Sequence, residues 1–82
     1  METISIINGY RIPTIWEGEQ TTFIIGKYTV LWDCSTRCIT SVKDGKLIEK
    51  YRYPEDYTIG QFHKFITLLI EAAKQDEQDY EI

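Results

Sequence analysis

The residues best equipped for chemistry are Asp33, Cys34, Cys38 and His63. Cys34 and Cys38 stand three residues apart, in Cys34-Ser35-Thr36-Arg37-Cys38. A structural zinc ion asks for about four thiolate, imidazole or carboxylate ligands. This chain has two cysteines and one histidine, so neither a metal site nor a cofactor is expected. A disulfide between Cys34 and Cys38 would close only a short loop and stabilise little, and a reducing compartment would keep it open. A redox thiol needs a cation to hold the thiolate, and Arg37 is the one nearby. Cys34 is instead expected to be a small apolar core residue, because strand alternation sets it on one face with Trp32.

Nucleophilic catalysis would set Cys34, Cys38 or a serine against His63 and an orienting carboxylate. No spacing in the chain assembles that set. His63 follows Phe62 on a helical apolar stripe and reads as a rim histidine. The five glycines are scattered, mostly at turns, and form no phosphate-binding loop. No catalytic residue is expected, and the chain reads as a non-enzyme.

The elements that must position these residues are strands first. Isoleucine occurs 13 times and alanine only at Ala72 and Ala73. β-branched side chains favour strands. Ile4 and Ile6 alternate with polar neighbours, the period of a half-buried strand. Asn8-Gly9 then suits a type I′ hairpin turn, and Tyr10-Arg11-Ile12 returns as a strand that Pro13 cuts short. Residues 14–20 read as an extension and loop. Residues 21–25 form a third β-like run. Residues 28–34 give the clearest strand, with Tyr28, Val30, Trp32 and Cys34 on its apolar face. Residues 38–42 return from a tip at Ser35-Thr36-Arg37. Asp44-Gly45 signals another tight turn, and residues 47–53 complete the sheet before Pro54.

A helix follows. Thr58 and Gln61 have capping-box spacing. Asp56, just upstream, complements the positive end of the helix dipole. Ile59, Phe62, Ile66, Leu69 and Ala73 recur at steps of three and four, with Phe65 and Leu68 widening the stripe. The helix is expected to run to about Lys74, leaving residues 76–82 as a frayed acidic tail. The predicted fold class is α+β: one domain over residues 1–75, with an antiparallel sheet of four to five strands and one C-terminal amphipathic helix packed on one face.

Charge is distributed unevenly within a net −4. Residues 1–26 carry −2, residues 27–53 carry +3, and residues 54–82 carry −5. In the last strand Lys46, Ile48, Lys50 and Arg52 should share the outer side, while Leu47, Glu49, Tyr51 and Tyr53 face the helix. The chain lacks the ~18 consecutive apolar residues of a membrane helix, and its start has no basic, apolar leader pattern. No membrane partner and a cytoplasmic location are expected.

What remains is binding. At 82 residues a domain buries only about 60–65% of its unfolded surface and has little room for a deep active site. Aromatic residues make up 13% of the chain, and Trp, Tyr and Arg dominate interface hot spots. The expected partner-binding residues are Trp16, Arg37, Lys46, Lys50 and Arg52, with Asp76, Glu77, Asp79 and Glu81 at the acidic end. This build is common among small accessory proteins of bacteriophages and mobile elements, including inhibitors of host defence. The expectation is a non-enzymatic protein-binding module that acts stoichiometrically on a host or bacterial protein. The alternative is a nucleic-acid-binding accessory protein using the basic outer sheet face. An acidic end that imitates nucleic acid and a homodimer through an edge strand are further routes to binding.

Overall fold

A computed structural model describes residues 1–79, with side chains placed through residue 75. Six strands precede one helix: β1 (Glu2–Ile7), β2 (Tyr10–Glu17), β3 (Gln20–Ile25), β4 (Tyr28–Asp33), β5 (Cys38–Lys43), β6 (Lys46–Arg52) and α1 (Ile59–Asp79). The strands form one antiparallel sheet in chain order, β1-β2-β3-β4-β5-β6. The α+β class is as expected, but the sheet has six strands rather than four to five.

Local turn chemistry explains the meander. Asn8 and Gly9 take φ of 50° and 83°, and Asp44 and Gly45 take 51° and 77°. Two consecutive positive φ values make a type I′ turn, whose twist matches that of the flanking strands. The loop expected at residues 14–20 is instead strand almost throughout. β2 runs on through Pro13 to Glu17, and Gly18-Glu19 alone connects it to β3. Pro13 still leaves a mark. It pairs with Ile4 of β1, whereas pairing of β2 with β3 begins only at Thr14 opposite Phe23. The missing N–H of proline falls where the β2–β3 ladder stops.

The helix begins as its sequence dictates. The Thr58 backbone N–H donates to Gln61 Oε1 at 2.8 Å, and the Gln61 N–H donates to Thr58 Oγ1 at 3.2 Å. This reciprocal capping box satisfies two otherwise orphaned donors. Thr58→Ala should lower stability by about 1 kcal/mol. In a domain of this size that is a drop in Tm of about 4–8 °C by calorimetry. The helix continues to Asp79 rather than stopping near Lys74. The expected fraying of the tail falls partly on residues 80–82, which lie outside the described residues.

The core lies between α1 and one face of the sheet. Phe62, Ile66 and Ile70 of α1 are buried against Ile7, Ile12, Phe23, Ile25, Tyr28, Val30 and Ile39. Phe62 is the hub, with ring centroids 5.3 Å from Phe23, 4.7 Å from Trp32 and 6.5 Å from Phe65. Ile70, absent from the expected stripe, is buried, while Ile59 and Leu68 are exposed. Gly26 closes the β3–β4 turn beneath α1. Its φ is 58°, and a Cβ there would sit 3.3 Å from that of Ala73, so glycine allows both the turn and the approach of the helix.

Candidate binding site

The two faces of the sheet differ, and the register separates them. The helix side carries Ile7, Ile12, Thr14, Phe23, Val30, Ile39 and Ser41, all buried. The helix-free side carries Ile4, Ile6, Ile24 and Leu31, all exposed. Ile4 and Ile6 therefore do not form the buried side of β1; Ile7 does. Leu47 also changes sides. A bulge between Ser41 and Val42 lets Glu49 face Ser41 while Leu47 faces Val42, so Ile48 is the extra residue. Past the bulge, Lys46 pairs with Lys43 on the helix side. Lys43 lies there with its Nζ 5.3 Å from the Tyr28 ring centroid. The expected row of Lys46, Lys50 and Arg52 is thus broken. Lys50 and Arg52 stay on the helix-free side, opposite Thr40 and Cys38, and the surface beside them is aliphatic and threonine-rich.

The other expected partner residues are dispersed. Trp16 is the last residue but one of β2, on the helix side and 44% exposed. With Ile59, Phe62 and His63 it lines a shallow cleft at the start of α1. Arg37 sits in the β4–β5 turn with φ of 56°, and its Nη1 lies 3.3 Å from Glu55 Oε1. That exposed ion pair contributes little to stability. Asp76, Glu77 and Asp79 fall at the C-terminal end of α1. Glu81 lies outside the described residues.

Cys34 is exposed rather than a core residue. It follows the last residue of β4, and its Sγ lies 3.4 Å from the Glu19 carbonyl oxygen. Both cysteines are free thiols. The tip they flank is organised by Asp33, whose Oδ1 accepts from Ser35 Oγ at 2.6 Å and from the Ser35 N–H at 2.9 Å. These bonds, led by the Ser35 hydroxyl, hold the Asp33 carboxyl below its ordinary value of 3.8. Lowering the folded-state value means the tip's stabilisation is complete above the ordinary value and lost as pH falls through the depressed one. In a carbon-detected NMR titration, Asp33 should titrate at lower pH than a free aspartate. In Ser35→Ala its midpoint should move back up.

A concave site lies where α1 leaves the sheet uncovered. The helix approaches β1 and β3 most closely, so the β5–β6 side of the same face stays open. Ile39, Ser41, Glu49, Tyr51, Tyr57 and Phe65 line a groove there of about 200 Å³. Each wall has a local cause. Tyr51 stands opposite buried Ile39, and Glu49 opposite buried Ser41, because β6 is regular on this side of the bulge. Tyr57 is brought in by the turn after Pro54, where its N–H donates to the Pro54 carbonyl at 3.1 Å. Phe65 arrives from α1, one helical turn after Phe62.

An aromatic chain ties this groove to the core. Trp32 Nε1 donates to the Tyr53 hydroxyl at 3.0 Å. The Tyr53 and Tyr57 rings lie 5.2 Å apart, and Tyr51 meets Tyr57 edge-on at 6.2 Å. Such contacts add about 0.5–1.5 kcal/mol beyond area burial and hold the rings in place. Desolvation, then the neighbouring Tyr51, raises the Tyr57 phenol above its ordinary value, so it remains a neutral hydrogen-bonding group at physiological pH. The groove offers an apolar floor, tyrosine hydroxyls and one carboxylate. Its outer wall is an edge strand in which every residue of β6 is exposed. Sequence reasoning placed Tyr51 and Tyr53 on the helix side but missed Tyr57 and Phe65 as lining. The available signal was three tyrosines clustered around Pro54.

Among the described residues no group of three or more His, Cys, Asp or Glu is placed to hold a metal ion. No helix among them is long and apolar enough to cross a membrane. Compared with known proteins, the chain matches no family profile, no curated protein and no solved structure.

Proposed function

We propose that this chain is a non-enzymatic protein-binding module that captures an extended segment of a partner protein along β6, with alternate partner side chains entering the tyrosine groove. The observation that carries the reading is the pairing of an edge strand, exposed along its whole length, with an aromatic groove on the same strand. An added strand takes its affinity from main-chain hydrogen bonds and its specificity from side-chain pockets every second residue. Tyrosine supplies large contact area with little rotamer entropy to lose. Acting this way, the protein occupies a partner surface stoichiometrically, as an inhibitor or adaptor does. That action suits an accessory protein of a phage or mobile element directed at a host protein.

Affinity capture from bacterial lysate tests this reading. The intact chain should retain one protein in a one-to-one ratio, and Tyr51→Ala/Tyr57→Ala should lose it. Lys50→Glu/Arg52→Glu, on the other side of the same strand, should keep it. Capture that survives the tyrosine substitutions sinks the groove. Retention on DNA that rising salt and Lys50→Glu/Arg52→Glu both abolish would move the function to nucleic acid.

A further inference from the structure

We propose that the helix-free face of the sheet binds a second copy of this chain, face to face about a two-fold axis that runs along the strands. The groove lies on the opposite face, so this inference does not depend on the binding function proposed above. The face carries exposed Ile4, Ile24, Leu31 and Leu47, and among the described residues no element covers them. An antiparallel sheet can leave one face in water, but contiguous aliphatic side chains on such a face favour packing against another layer.

The register identifies the layer. Across the whole sheet, Glu2, Ile15, Thr22, Leu31, Thr40 and Lys50 stand opposite one another in a single row. The row is acidic at the β1 end, basic at the β6 end, and aliphatic or threonine between. Turning one sheet over about an axis parallel to the strands sets β1 of each copy over β6 of the other. Glu2 then meets Lys50 of the second copy, Ile15 meets its Thr40, and Thr22 meets its Leu31. The adjacent row has the same polarity, from Glu17 through Gln20, Asp33 and Cys38 to Arg52. Glu17 is then offset sideways from Arg52 of the second copy by one strand spacing, about 4.8 Å, across an intersheet gap of about 10 Å that both long side chains can span. A two-fold axis across the strands would instead lay β1 over β1 and oppose like charges. A pattern that matches its own inversion fits an isologous contact.

The area is sufficient for a modest dimer. Six strands at about 4.8 Å spacing and about 20 Å length give a footprint of roughly 500 Å² per copy. The pair then buries about 1,000 Å², the lower bound for a specific interface. Association should therefore be modest and depend on concentration.

Sedimentation equilibrium of the untagged chain from about 1 to 500 μM tests this. A monomer–dimer equilibrium is expected, weakened by high salt. Leu31→Glu, at the centre of the face, should raise Kd by at least about 100-fold. Glu2→Lys and Lys50→Glu should each raise it about tenfold. An equimolar mixture of the Glu2→Lys and Lys50→Glu proteins should associate nearly as well as the unmodified chain, because opposite charges again meet at both ends. All three sites are exposed, so far-UV circular dichroism should show each variant folded. A chain that stays monomeric at the top concentration overturns the proposal. So does a dimer indifferent to Leu31→Glu, or a mixture no better than its components.

Discussion

Replacing Phe62 with alanine is expected to lower the unfolding free energy by about 3–5 kcal/mol, the usual range for truncating a buried aromatic residue. Phe62 is 1% exposed and bridges β3, β4 and its own helix through Phe23, Trp32 and Phe65. The surrounding rings sit on separate elements and cannot all move inward to fill the space. For an 82-residue chain total stability is about 4–12 kcal/mol, so this one change consumes much of it. Urea denaturation followed by the fluorescence of Trp16 and Trp32 measures the effect. Because Trp32 stacks on Phe62 at 4.7 Å, its emission should also shift in the folded baseline. A loss below about 1 kcal/mol would mean that α1 does not hold the core together.

The second large effect is electrostatic. Ile66 is 0% exposed within the apolar core cluster, so Ile66→Asp would bury a carboxyl among hydrocarbon side chains. Burial of an unpaired carboxylate raises its pKa by about 3–5 units, and at pH 7 keeping the group neutral in the fold costs about 4 kcal/mol, set by the distance of pH 7 from the unfolded-state value. The sign is opposite to that at Asp33. A raised folded-state value makes stability highest in acid, where the carboxyl is neutral, and removes it as pH rises. Ile66→Asp should be largely unfolded at pH 7 and regain helical circular dichroism towards pH 4, whereas the unmodified chain should not respond this way. Equal unfolding at both pH values would show that lost packing, not charge, controls the outcome.

The parts of this fold that were legible in the sequence are those governed by near neighbours in the chain. Asn8-Gly9 and Asp44-Gly45 need only their own backbone freedom to make a turn. Thr58 and Gln61 need only each other to start a helix. The sides of the strands were harder to read. In β1 both sides carry isoleucine, and period two alone cannot say which side turns inward. Ile7 is selected because it stands opposite Tyr10, beside the hairpin tip whose Asn8 Nδ2 donates to Thr67 of α1 at 2.6 Å. The bulge that moves Lys46 and Leu47 is a property of how β6 aligns with β5, and no local residue announces it. The same limit hid the candidate groove. Tyr51 and Phe65 are far apart in sequence, and only the path of the helix makes them two walls of one site.

Because every strand pairs with its immediate predecessor, the sheet needs no distant segment to begin forming. Each hairpin can close over a short loop at small entropic cost and then template the next. The layer can therefore assemble in sequence behind a growing chain. The helix, synthesised after all six strands, arrives as the seal rather than the nucleus. Folding should be fast for a β-rich protein, with early species that carry ordered hairpins and an unfilled Phe62 site.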